Sequence, residues 1–570
     1  MRSYCYNPEG IGPQKEKEPK NLLQLAKISR SIALGCLGTI LTSFPVLSAE
    51  RITFILAPFS RTLEISSLEK FAKTGRIDAN LRQYLGNTTA EQQKEFRQAL
   101  TTSKEINPVL ISRFFNTRMG EDILNLLGEL ITIQGGINGK FALRSALVKS
   151  AFEPEGVTIL SLLRNLPTNM QIDVTKVQRL ARAIDVVLKA TTVFTEKVAQ
   201  LSLEEAKKAG EINFTAMTDP RQPGPQQVEQ MRLDLTDSRR QRKLYLIIVK
   251  PKGQLTQKTP VIVFSHGLAS RPEDFVRHAE HFASYGYLVA MPQHPGSDTL
   301  QVQNLLAGLS RTVFYTNEFV DRPLDISFVI DELQRRNAGE FQGQLDLDNV
   351  GVGGHSFGGY TALAVGGATI DFENLQRDCQ RRLAFLNVSL LLQCRALDLP
   401  REEYNFRDPR IKAIFAVNPF NWSIFGAKGL AKIEIPTFVA AGTYDPATPA
   451  IFEQVRSFPL LNTENKYLAL IEGQAHVDFS VLDAGINEAI ESIADLTLPA
   501  PYLIDSYAHS LSLAFFEVYI RKNPSYKPFL QAAYSQYLSQ GQEFRCFLIT
   551  RASSTALEQL IKDFVAQNVR

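Results

Sequence analysis

A serine on a tight turn between a strand and a helix is the first feature of this chain that could do chemistry. Val350-Gly351-Val352-Gly353 leads into Gly354-His355-Ser356-Phe357-Gly358, and a helix-compatible run of small and apolar residues follows. The G-x-S-x-G pattern needs small neighbours because the serine stands on a strained turn above a sheet edge. The bare pattern is common, and its alternative is a glycine-rich turn with an ordinary serine. The strand-turn-helix context favours the nucleophile. A helix starting directly after Ser356 also aims its positive end and free N–H groups at any oxyanion formed there.

A serine hydroxyl is a weak nucleophile without a base. Of the seven histidines only His476 and His509 follow Ser356 in the chain. His476 ends Glu472-Gly473-Gln474-Ala475-His476, just past a predicted strand, whereas His509 lies in a predicted helix, so His476 is the expected base. Asp445, in Gly442-Thr443-Tyr444-Asp445-Pro446 after another predicted strand, is the expected acid that fixes the histidine tautomer. Its alternative is a turn-capping role before Pro446. The end of the preceding strand carries Asn418, which has no carboxylate.

Acyl transfer also needs oxyanion donors. The expected pair is the N–H groups of Phe357, next to the serine, and Leu268, in Phe264-Ser265-His266-Gly267-Leu268-Ala269-Ser270. His266 is expected to hold that loop, and His355 to pack within the elbow. His294, also at a strand end, either lines a pocket or is a satisfied loop residue. His278 and His281 have metal-compatible helical spacing, but the sequence shows no partner ligands beside them, and a solvated face is expected. None of the five cysteines forms a C-x-x-C pair, so neither a structural zinc site nor any cofactor is expected.

These residues need a scaffold. The chain has 570 residues, 44% apolar and 21% charged, with a net charge of +3. That is ordinary globular composition with room for several domains and no electrostatic footprint for nucleic acid. Short apolar runs alternate with helical patterns after residue 230: Met231–Leu235, Lys243–Val249, Val261–Phe264, Leu288–Met291, Val350–Gly353, Ile414–Val417, Thr437–Ala441 and Tyr467–Ile471. Continuous apolar strands are buried on both faces, as in a parallel sheet. The two more polar first runs suit an antiparallel edge hairpin. The expected fold class is α/β, a mostly parallel doubly wound sheet over 231–496.

Around this core the sequence predicts four further segments. Residues 50–205 read as a mainly helical accessory domain that opens with a hairpin over Ile52–Ile65, and 206–230, rich in Pro, Gly and Gln, as a linker. An insertion over about 370–411 carries Cys379, an apolar stretch and Cys394. It is read either as a helical lid favouring acyl or lipid contact, or as a helix completing the core. The two cysteines either close this insertion as a disulfide in an oxidising compartment or stay reduced. Residues 497–570 read as a C-terminal helical extension.

The N-terminus reads as an export signal over 1–48. A polar stretch with Lys15, Lys17, Lys20, Lys27 and Arg30 precedes the uncharged run Ser31–Leu47 and the small pair Ser48-Ala49. The expectation is an exported protein, periplasmic or extracellular; an uncleaved membrane anchor is the alternative.

The set FSHGLAS, GHSFGG, AGTYDP and EGQAH resembles the α/β-hydrolase superfamily over roughly residues 230–495. The HGL loop and HSFGG elbow are similar to platelet-activating-factor acetylhydrolases and dienelactone-hydrolase-like esterases. The AERITF start is similar to an uncharacterised domain placed ahead of such hydrolases in cyanobacteria. The resemblance implies a Ser356-Asp445-His476 triad acting on a small-molecule or lipid ester. This chain departs from the acetylhydrolases, whose acid falls where Asn418 stands, and from dienelactone hydrolases, which use cysteine where Ser356 stands. Substrate is therefore not carried over. The other functional classes are a non-catalytic binding module on this fold and a peptidase or amidase with the same triad.

Overall fold

The alternating pattern at the start of the accessory region forms the hairpin it predicts. The computed structural model describes residues 49–104, 106–381, 386–476 and 499–568, so the expected export signal lies outside the described residues. Strands β1 (Arg51–Leu56) and β2 (Phe59–Glu64) pair antiparallel. The unit is mainly helical, as expected, and its sheet extends beyond this hairpin. Strands β3 (Ile131–Ile133), β4 (Ile137–Asn138) and β5 (Met170–Asp173) join it in a five-stranded sheet ordered β2-β1-β5-β3-β4. Strands this short show no period of two, and their partners come from distant sequence. Ile52, Leu68, Leu100, Leu163 and Met170 close the core between this sheet and its helices. A capping box opens the helix Ala90–Thr101, with Thr89 Oγ1 accepting from the Gln92 N–H and Gln92 Oε1 accepting from the Thr89 N–H.

The helix Val174–Ala209 leaves this unit and, at 36 residues, is about 54 Å long. It carries the chain onto the second sheet, so the expected linker is helical as far as Ala209. Ser202 Oγ accepts from the Leu548 N–H at 3.2 Å, and the Glu205 carboxylate accepts from the Thr550 N–H and hydroxyl.

The second sheet has nine strands: β6 (Val228–Asp237), β7 (Arg242–Pro251), β8 (Thr259–Ser265), β9 (Leu288–Pro292), β10 (Leu345–His355), β11 (Ile411–Val417), β12 (Thr437–Gly442), β13 (Lys466–Ile471) and β14 (Cys546–Thr550). Their order is β14-β13-β12-β11-β10-β8-β9-β7-β6. The middle six are parallel, and β6, β7 and β14 run antiparallel to their neighbours. Strand β14 corrects the expected C-terminal extension: residues 497–570 supply an edge strand of the main sheet as well as helices. Helices Glu318–Glu340, Phe357–Val365 and Ser554–Asn568 cover one face, with Phe319, Ile330, Tyr360 and Leu557 fully buried. Helices Val276–Ser284, Pro501–Tyr519 and Ala532–Leu538 cover the other. Among the described residues no helix is long and apolar enough to cross a membrane.

The insertion is fastened on two sides. Leu375, Leu392, Ala396 and Leu399 belong to the main core. The buried Glu453 carboxylate accepts from Asn387, Ser389 and Gln393 of the insertion and from the backbone N–H groups of Asn421 and Trp422. Cys379 and Cys394 are joined in a disulfide with their Cα atoms 5.9 Å apart. On the outer side Arg118–Asp398 and Arg395–Asp122 ion pairs tie the insertion to the N-terminal unit. Of its two sequence readings, these contacts describe a core-completing segment rather than a hinged flap.

Candidate active site

The candidate nucleophile sits where β10 breaks into the helix Phe357–Val365. Ser356 has φ 57° and ψ −115°, a strained conformation for a residue with a side chain. The turn survives because its neighbours are small: a Cβ on Gly358 would lie 1.8 Å from the Ser265 carbonyl oxygen, so only glycine fits there.

Three strand ends bring the triad candidates together. The Ser356 hydroxyl donates to His476 Nε2 at 2.8 Å, and His476 Nδ1–H donates to Asp445 Oδ2 at 2.7 Å. Asp445 Oδ1 accepts from the N–H groups of Ala447 and Thr448, and Oδ2 also accepts from the Thr448 hydroxyl, each at 2.8 Å. Burial alone would raise the Asp445 carboxyl; the adjacent His476 ring and the Thr448 donors outweigh it and hold it below the usual carboxylate range. The turn-capping reading of Asp445 and the acid reading therefore describe one carboxylate, with one oxygen on the turn and the other on the histidine.

His476 is positioned through its carbonyl. His355 Nε2–H donates to it at 2.6 Å, and Asn418 Nδ2 donates at 3.2 Å. Burial pushes the His355 imidazole down to about 3, so it is neutral and can serve as this donor. Asn418 Oδ1 accepts from the Gly442 N–H at 3.1 Å. The side chain at the rival acid position thus braces the histidine loop.

The expected oxyanion loop lies against the elbow: a Cβ on Gly267 would stand 3.4 Å from Ser356 Cβ. Neither the Leu268 nor the Phe357 N–H has an acceptor among the described residues. Arg322, which sequence reasoning missed, sets the loop's orientation. Its fully buried guanidinium donates to the carbonyls of His266 (2.6 Å) and Gly267 (3.1 Å) and to Ser297 Oγ (2.8 Å). A planar trans peptide points its C=O and N–H in opposite directions. Holding the Gly267 carbonyl therefore turns the Leu268 N–H away from Arg322. The same guanidinium lies 4.4 Å from the Phe357 ring centroid, so it touches one expected donor residue and the residue before the other. An arginine in a helix of mixed residues carries no sequence signal of this role.

The remaining histidines fall into two groups. His266 accepts the His294 N–H, and His294 bridges Ser265 Oγ and Asp325 Oδ2, each at 2.9 Å. Ser265, His294 and Asp325 repeat the order of a triad, but all three side chains are fully buried and Asp325 is clamped by Arg240 and Arg242. No substrate can reach that serine, and of its two readings His294 takes that of a satisfied residue. His278 and His281 depart from the expected solvated face: His281 is buried, and both rings meet His509.

Two family models match the chain. Residues 48–173 match a family described as an alpha/beta hydrolase of unknown function (DUF1400), and residues 216–377 match chlorophyllase. No curated protein matches at a significant level. With the nine-stranded sheet, these matches place the chain in the α/β-hydrolase superfamily. They support a hydrolase.

Proposed function

We propose that the protein is an exported serine hydrolase of carboxylic esters, with lipid esters as the substrate class. The observation that carries this reading is the relay from Ser356 through His476 to Asp445 on a strained elbow, beside two N–H groups without acceptors among the described residues. In the proposed reaction Ser356 Oγ attacks the ester carbonyl carbon while His476 Nε2 takes the hydroxyl proton. The Leu268 and Phe357 N–H groups receive the oxyanion. Collapse expels the alcohol, which takes the proton from His476. Water then attacks the acyl-enzyme, again giving its proton to His476, and the acid leaves as Ser356 regains its hydrogen.

Export is supported by the residue 1–48 pattern and by the Cys379–Cys394 disulfide, which suits an oxidising compartment. A lipid substrate is supported by exposed Leu300, Leu309 and Tyr315. They follow the Ser297 turn, whose carbonyl accepts the Ala269 N–H of the oxyanion loop at 2.8 Å.

The test is an acyl series of p-nitrophenyl esters from acetate to palmitate on the mature protein, with a fluorophosphonate probe in parallel. Ester turnover and labelling that vanish in Ser356→Ala are expected. Labelling without turnover of any ester, together with cleavage of amide substrates, would overturn the ester reading in favour of a peptidase. No labelling would favour a binding module.

A further inference from the structure

Between helices Val276–Ser284 and Pro501–Tyr519 stand three side chains that the proposed reaction does not use. We propose that His278, Asp505 and His509 bind one divalent transition cation of the zinc class.

The sequence shows only half of this cluster, because His278 and its partners lie more than two hundred residues apart. Folding brings His278 Nδ1 to 3.3 Å from His509 Nε2. Two nitrogens bonded at about 2.0–2.1 Å to one tetrahedral zinc lie roughly 3.4 Å apart, so this pair already has the spacing of two ligands. Asp505 precedes His509 by one helical turn and shares its face. Its Oδ1 is 4.0 Å from His278 Nε2, the ring nitrogen that does not face His509, and one ligand atom from each of the three residues lies within 4.8 Å of the others. A turn of the Asp505 side chain toward the facing nitrogens of His278 and His509 would let its carboxylate share an ion with them.

The surroundings hold the His509 ring in one orientation. His281 fixes the His509 ring from behind, stacked at 4.2 Å with the planes 7° apart. Its own Nε2–H is committed to the Pro220 carbonyl at 3.1 Å. This is the outer support that holds a ligand ring in one orientation. The His278 side chain is 36% exposed, which leaves an entry path and room for a water ligand. Asp505 pairs with Arg277 at 2.8 Å, but that arginine side chain is 76% exposed and its ion pair is weak competition. Two imidazoles and one carboxylate suit zinc, copper or nickel better than calcium or magnesium. A bound ion would staple helix Pro501–Tyr519, which leads to edge strand β14, onto the body of the sheet.

The experiment uses the untagged mature chain, stripped with EDTA and titrated with Zn²⁺ against a chromophoric chelator, with thermal melts in parallel. One ion per chain and a rise in Tm of about 2–3 °C at saturating metal are expected. Affinity should fall about 100-fold in His278→Gln and at least about 10-fold in Asp505→Asn. Both side chains are partly exposed, so the variants should fold; if His278→Gln does not, Asp505→Asn decides. Failure of the folded wild type to bind Zn²⁺ at about 0.1 mM, or unchanged binding in the folded variants, would overturn the site.

Discussion

Replacing Asp445 by Asn tests the proposed relay at the point where the structure specifies the outcome. Asp445 Oδ1 faces two N–H donors, those of Ala447 and Thr448. An asparagine must therefore place its carbonyl oxygen there and turn its NH₂ toward Thr448 Oγ1 and His476 Nδ1. His476 Nδ1 then becomes an acceptor, its proton moves to Nε2, and that nitrogen can no longer take the proton of Ser356. Loss of the productive tautomer lowers kcat by about 10⁴, or about 5 kcal/mol of transition-state stabilisation. The assay is steady-state ester hydrolysis from pH 6 to 10 with a thermal melt of the variant. A folded Asp445→Asn enzyme within tenfold of wild-type kcat would refute the reasoning. A second arm sharpens it: Asn418→Asp should not rescue the variant, because that side chain addresses the His476 carbonyl rather than Nδ1.

Arg322→Lys should keep a positive charge but lose the fork that spans two carbonyls, lowering kcat about 10²-fold with KM little changed, as for loss of an oxyanion donor. Steady-state kinetics on protein with native circular dichroism checks this, and an unchanged kcat would remove Arg322 as a positioning residue. Unfolded, unreduced mature protein should titrate with one thiol, Cys546; three would exclude the disulfide. In the folded protein burial pushes that thiol up to about 12, so Ellman's reagent should not react with it at pH 8. Burial holds His281 at about 4 and His355 at about 3, against roughly 6.5 when unfolded. The unfolded chain gains protons below pH 6.5 that the folded chain refuses, so stability falls as pH drops. Between pH 7 and 5 each should cost about 2 kcal/mol, and melts showing no loss of Tm over that range would contradict their burial as neutral rings.

The main sheet and the candidate nucleophile were legible because their signals are local. A continuous apolar run of four to seven residues bounded by turn signals reads as an interior strand buried on both faces. The elbow around Ser356 is equally local, since strand, strained residue and helix occupy adjacent positions. Chain order then singled out His476, and a strand end singled out Asp445. Strands β3, β4 and β5 were not legible because two to four residues cannot display a period. β14 was hidden in a stretch read as helical, and its pairing with β13 is set by contacts remote in sequence.

The sequence by itself determined which side chains could do chemistry and which local backbone each would occupy. Only the tertiary structure decided how they are held. It placed Asn418 and His355 on the carbonyl of His476, put the Arg322 guanidinium behind the oxyanion loop, and closed the Ser265-His294-Asp325 relay away from solvent. It also gathered His278, Asp505 and His509 from helices far apart in the chain. The physical reason is that hydrogen-bond partners, burial and the resulting protonation state of a ring depend on neighbours in space. Periodicity and turn chemistry report only neighbours along the chain.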